Sequence, residues 1–197
     1  MNPLDTIKGA IIIGSIIAIA IAAAIQPGLN LPSLARWLHI LSGVMWIGLL
    51  YYFNVVQIPG LAVAGADKGG PGGAGISKYI APTALLWFRW AAVATWLTGA
   101  WYLGPNFVKA FTLGLMETEP NSYFTVIGIG AWLGTIMLFN VWALIWPNQK
   151  KILGMVPATD AQKASARNIA KYASRTNFAL SIPMLMCMGG AMHGLPF

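Results

Sequence analysis

The sequence predicts an all-α integral membrane protein: a bundle of five transmembrane helices, N-terminus in and C-terminus out, plus a short cytoplasmic surface helix. Two observations carry this. The 197 residues are 57% hydrophobic and only 9% charged, with mean hydropathy +0.67, which is too apolar for an ordinary soluble domain. The apolar residues gather in five runs, about 9 to 26, 34 to 57, 82 to 104, 123 to 147 and 175 to 195, each near the ~20 residues that cross about 30 Å of hydrocarbon as a helix. The charges then sort by side. Lys68, Lys78, Lys150, Lys151, Lys163, Arg167, Lys171 and Arg175 fall in or beside the second and fourth loops, whereas the first and third loops hold Arg36 and Lys109 with Glu117 and Glu119. The positive-inside rule places the second and fourth loops in the cytoplasm. The formal charge of +7 therefore points to a membrane face, not to nucleic acid.

The first run forms an additional N-terminal helix within residues 1–30. Ala22-Ala23-Ala24 has the small residues of a signal-peptide cleavage site, but the run is expected to stay as a span. Gln26-Pro27-Gly28 ends it, and Pro32-Ser33 opens the second helix with proline at a permitted early position. Residues 31–197 form the main membrane domain. Between the second and third helices, Gly69 to Gly75 is glycine-rich but lacks the Gly-Lys-Ser/Thr ending of a phosphate loop, so it reads as a cytoplasmic linker. Arg89 in Trp87-Phe88-Arg89-Trp90 sits inside the third helix, where it can snorkel among indole rings. Gly130 and Gly134 give the fourth helix a close-packing face, and Asn140 needs an interhelical partner. Thr159 and Gln162 fit a capping box that opens the short surface helix, whose Lys163, Arg167 and Lys171 form a basic stripe suited to anionic headgroups. Pro183 interrupts the fifth helix beside a stripe of Met184, Met188 and Met192.

The lone Cys187 excludes an intrachain disulfide and a Cys-x-x-Cys-His haem attachment. The two histidines, His39 and His193, both lie in apolar segments, and an intramembrane ionisable group is a functional hypothesis by default. The topology puts both toward the outer face, His39 about five residues or roughly 8 Å below the start of its helix. Two neutral imidazoles at matching depth suit the axial positions of one b-type haem. Gly43 lies one turn after His39, and Gly189 lies four residues before His193, so a macrocycle edge has room to approach. Arg36, on the same helical face as His39, suits a propionate. The expected site is therefore His39 and His193 on haem iron, with Arg36, Gly43 and Gly189 around it. The alternative is that each histidine packs or hydrogen-bonds within the bundle.

Several segments in order resemble the membrane domain of the bacterial membrane-bound urate hydroxylases, the urate oxidase N-terminal family. They are Arg36-Trp37-Leu38-His39 through Trp46-Ile47-Gly48, Trp87-Phe88-Arg89-Trp90 with Thr95-Trp96-Leu97-Thr98-Gly99, Thr135-Ile136-Met137 to Asn140-Val141, Pro147-Asn148-Gln149-Lys150, and Asn177 to Pro183 leading into His193. The His-to-Trp spacing of the second helix is also loosely similar to small haem-binding membrane proteins such as bacterial-type protoporphyrinogen oxidase. The resemblance implies a multi-pass protein of the bacterial inner membrane. It also implies urate oxidation with a cytochrome c domain, which is expected to be missing here. Where family members carry histidines the chain has Gly128 and Thr176, it has Ala91 where they carry an acid, and its Gly69 to Gly75 region has no flanking histidine.

The function these readings predict is a small accessory subunit of a larger membrane redox or bioenergetic complex. It would bind one haem b for electron transport, with the bilayer, other transmembrane subunits and anionic lipid at the cytoplasmic face as partners. The alternatives are a reduced urate hydroxylase working with a separate cytochrome c, and a cofactor-free structural subunit. Little catalytic activity is expected of the chain alone.

Overall fold

The computed structural model describes residues 2–26, 28–119 and 121–196; Pro27, expected to help end the first helix, lies outside them. The described residues fold into two compact units, Met1–Leu34 and Ala35–Phe197. In the first, the Thr6 hydroxyl caps helix α1 (Ile7–Ile25) by accepting from the Gly9 amide at 3.1 Å. Beyond Lys8, α1 is built from Ile, Ala, Gly and Ser alone. With no polar face, it suits apolar surroundings on every side.

The rest of the chain forms four long helices joined by short turns: α2 (Leu31–Ala66), α3 (Ile76–Phe111), α4 (Ser122–Ile152) and α5 (Asp160–His193). By length and composition, α1 to α4 are each apolar enough to cross a membrane. The surface helix expected before the fifth span is not a separate element. Residues 160–193 are one helix of 34 residues, about 51 Å long. Neither Gly nor Pro interrupts residues 161–182, and the small side chains Ala166, Ala170, Ala173 and Ser174 bury one face of this stretch. Packing thus holds straight a segment whose charge pattern suggested a helix lying flat. The Thr159–Gln162 capping box does form, at the start of this longer helix.

Three of the helices loosen into π-helical turns, at Tyr52–Gln57, Ile76–Ile80 and Asn140–Ile145. Each is followed two residues later by a proline: Pro59, Pro82 and Pro147. Proline has no amide hydrogen and its ring crowds the carbonyl four residues back. The preceding turn responds by shifting to wider i to i+5 bonding, which keeps the helix continuous and widens it locally.

The core of the four helices runs through Trp46, Leu50 and Phe53 of α2, Leu85, Phe88 and Ala92 of α3, Met137, Val141 and Ile145 of α4, and Ala173 and Met184 of α5. A polar clasp crosses it. Asn140 donates to the Asn177 side-chain oxygen at 2.8 Å, and the Asn177 amide donates to the Met137 carbonyl at 2.9 Å. Asn177 is fully buried, so the expected interhelical partner of Asn140 lies on α5. Asn177→Ala leaves a buried donor without its acceptor, at about 1–3 kcal/mol for such a group. A fall of several degrees in the unfolding midpoint of the detergent-solubilised protein is the expected result, and an unchanged midpoint would contradict the clasp.

Candidate functional site

Near the Leu31 end of α2, the bundle opens into a cleft of about 370 Å³, within the range of about 300–1,000 Å³ usual for small-molecule sites. His39, Gly43, Trp46 and Ile47 form the α2 wall, and Thr95, Trp96, Gly99 and Tyr102 the α3 wall. Ile127, Ala131 and Gly134 contribute from α4, and Met184, Leu185 and Met188 from α5. The lining is almost wholly apolar, and His39 is its one imidazole.

A backbone contact orients that imidazole. His39 Nδ1 lies 2.8 Å from the Thr95 carbonyl oxygen. A carbonyl only accepts, so Nδ1 carries the proton, and in the neutral ring Nε2 keeps its lone pair. This is the arrangement usual for metal-bound histidine, in which a backbone acceptor on one nitrogen orients the other. The ring rests on Gly99, where an added Cβ would come within 2.9 Å of the His39 Nδ1 and Cε1 atoms. Only glycine leaves room there. The indole nitrogen of Trp46, another lining residue, is buried and has no hydrogen-bond partner.

Of the residues expected around a haem, the structure places His39 and Gly43 on this cleft. Gly43 lies against the Thr95 methyl group, at 3.7 Å from an added Cβ. Arg36, Gly189 and His193 are exposed and do not line it. His193 ends α5 five residues beyond Met188, about 7.5 Å along the axis. Sequence reasoning missed Gly99, the seat of the ring, although it had quoted Thr95 to Gly99 as a segment. Of the methionine stripe, Met184 and Met188 face the cleft and Met192 is exposed. Among the described residues, no group of three His, Cys, Asp or Glu side chains gathers, so the donors available here are a histidine nitrogen and thioethers.

Other singled-out residues have structural settings. The Arg89 guanidinium lies 3.8 Å over the Trp146 ring, the indole contact expected of a snorkelling cation. Lys109 pairs with Glu117 at 2.8 Å. Gly130 packs against Cys187 and Met188 of α5, while Gly134 faces open space beside the cleft. Gly128 is sealed: an added Cβ would run into the Ala110 carbonyl oxygen. Ala91 is buried and Thr176 is exposed, and none of these three positions lines the cleft.

A family model matches the C-terminal part of the chain. Residues 110–196 fit the family model described as urate oxidase N-terminal, in line with the resemblance seen in the segments from Thr135 to His193. The match takes in the α4 and α5 walls of the cleft, while His39 and Gly99 lie before it. No curated protein and no solved structure matches the chain.

Proposed function

From the premise that residues 110–196 match the urate oxidase N-terminal family, we propose that the chain is a urate-hydroxylase-related integral membrane protein of the bacterial inner membrane. In this reading it carries one b-type haem on His39 and serves electron transfer in a larger membrane complex. The observation that carries the reading is the His39 ring, set by Thr95 and Gly99 on the wall of an apolar cleft with Nε2 free for a ligand. Haem fits the donor set: an imidazole and thioethers serve as its axial ligands, and an apolar wall accepts a macrocycle. The unpartnered Trp46 N–H suits a ligand that brings an acceptor. When bound, haem supplies one-electron chemistry. The chain's own part is to fix the His39 tautomer through Thr95, to keep the cleft dry with Trp96, Leu103 and Phe107, and to offer a second ligand from α5. Met188, whose side chain lines the cleft, is the α5 residue placed for that role, whereas His193 ends the helix outside it. The near absence of charge in the lining favours electron transfer over substrate turnover.

A reduced-minus-oxidised absorption spectrum of the protein purified from haem-replete membranes tests the reading. A low-spin b-type band is expected. A featureless spectrum favours the cofactor-free structural subunit.

The second reading is a reduced urate hydroxylase that uses a separate cytochrome c, and the family match favours it. Gly128, Thr176 and Ala91 supply no shared set of polar groups for an anionic purine, whose unpaired groups cost about 1–3 kcal/mol each. We therefore expect no sustained loss of urate absorbance when the purified protein is incubated with urate, cytochrome c and oxygen. Turnover that vanishes in His39→Ala would promote this reading.

The membrane topology in this proposal has the N-terminus inside, five spans, and the basic turns after α2 and α4 in the cytoplasm. Cysteines placed at Lys68 and Thr118, with the buried Cys187 as background, should label from the inside and the outside respectively. The reverse pattern would overturn the orientation.

A further inference from the structure

A second cavity, of about 680 Å³, lies at the opposite end of the four-helix unit. All three π-helical turns open onto it: Phe53 and Gln57 come from the first, Ser77 and Lys78 from the second, and Ile145 from the third. Widened turns of this kind occur most often at functional sites, and here three from different helices converge.

The lining is graded. Lys78 and Arg167 are exposed at the mouth, Lys171 is half-buried, and no carboxylate lines the cavity. None of these three cations has an ion-pair partner among the described residues. Deeper in lie two unmet polar needs. The Gln57 side-chain oxygen is buried without a hydrogen-bond partner. The buried Ser174 hydroxyl accepts from the Asn54 amide at 2.9 Å, and its own hydrogen has no acceptor among the described residues. Phe53, Leu85, Phe88 and Ile145 supply the apolar floor. A buried polar atom left unpaired is costly, and three cations with no carboxylate partner among the described residues, over an apolar floor, describe one kind of occupant.

We propose that this cavity binds an anionic amphiphile whose phosphate sits among Lys78, Arg167 and Lys171, whose hydroxyl donates to Gln57, and whose apolar body lies on Phe53 and Phe88. The proposal is independent of the haem. The phosphate has two sources, a lipid headgroup or a free phosphate ester. The apolar floor commits the site to the lipid, specifically a hydroxyl-bearing anionic phospholipid.

The test follows the unfolding midpoint of the full-length protein in detergent during titration with phosphatidylglycerol, phosphatidylcholine, glycerol phosphate or inorganic phosphate. Phosphatidylglycerol should raise the midpoint saturably, and the other three should not. An equal response to glycerol phosphate or inorganic phosphate would overturn the lipid assignment, and no response to any of them would overturn the site. The Arg167→Gln/Lys171→Gln variant should weaken the phosphatidylglycerol effect by about tenfold or more. Gln57→Leu should weaken it with the charge unchanged. Lys163→Gln removes a cation from the same helix outside the cavity and should leave the effect intact; an equal loss there would mean diffuse charge attraction and contradict a built site.

Discussion

Replacing His39 with alanine is expected to abolish the low-spin spectrum of the proposed haem while leaving the helical content of the purified protein in place. His39 is half-buried at the edge of the core, and its removal leaves the Thr95 carbonyl within helix α3, where that oxygen keeps its backbone bond. The bundle therefore loses a ligand and little packing. Gly99→Ala should give a weaker version of the same result. Its new Cβ would press on the ring at 2.9 Å, tighter than side chains tolerate, and force His39 away from Thr95. The expected outcome is partial haem loss and a perturbed spectrum. If His39→Ala retains an unchanged spectrum, the iron is held elsewhere.

Gly128→Ala should be the most destabilising single methyl addition in the bundle. The new atom would run into the Ala110 carbonyl oxygen and would stand 2.9 Å from the Leu113 side chain. Neither can yield easily. Ala110 is fully buried, and the turn that follows is pinned where the Thr125 hydroxyl donates to the Leu113 carbonyl at 3.0 Å. Overpacking of this kind costs about 1–3 kcal/mol or more. The control is Gly134→Ala, where nothing lies within 4 Å of the added atom. Alanine in an open helical position stabilises by about 0.5–1 kcal/mol relative to glycine. Thermal unfolding of the two variants should shift in opposite directions, and equal shifts would contradict the packing. The same crowding leaves no room for a histidine at position 128 with Ala110 and Leu113 as they stand in this chain.

Much of the architecture was legible in the sequence, because helix formation here follows local signals. The five apolar runs fall almost wholly within helices, of which α1 to α4 are apolar enough to cross a membrane; the capping box opens α5, and Asn140 finds its partner on another helix as a buried amide must. The features missed depend on contacts between distant residues. Nothing local says that the basic segment 160–171 continues into the last helix; the buried faces of Ala166, Ala170 and Ala173 decide it. Pro59, Pro82 and Pro147 were visible, but only the folded bundle shows that the wide turns before them meet at one cavity. The site divides in the same way. His39 stood out because an imidazole is costly in an apolar run. Its seat on Gly99, 60 positions away in the chain, and the facing Met184 and Met188 come from helix pairing, which a single sequence does not encode in any short motif. His193, chosen by residue type and inferred depth, lies at an exposed helix end.

In the proposed function His39 holds a b-type haem in the cleft, and a pyridine haemochrome assay on the purified chain tests this. Non-covalent haem b is expected in equimolar amount in the wild-type protein and only in trace amount in His39→Ala. Wild-type protein from haem-replete membranes that contains no haem, or trace haem at the same level in both proteins, would contradict the account.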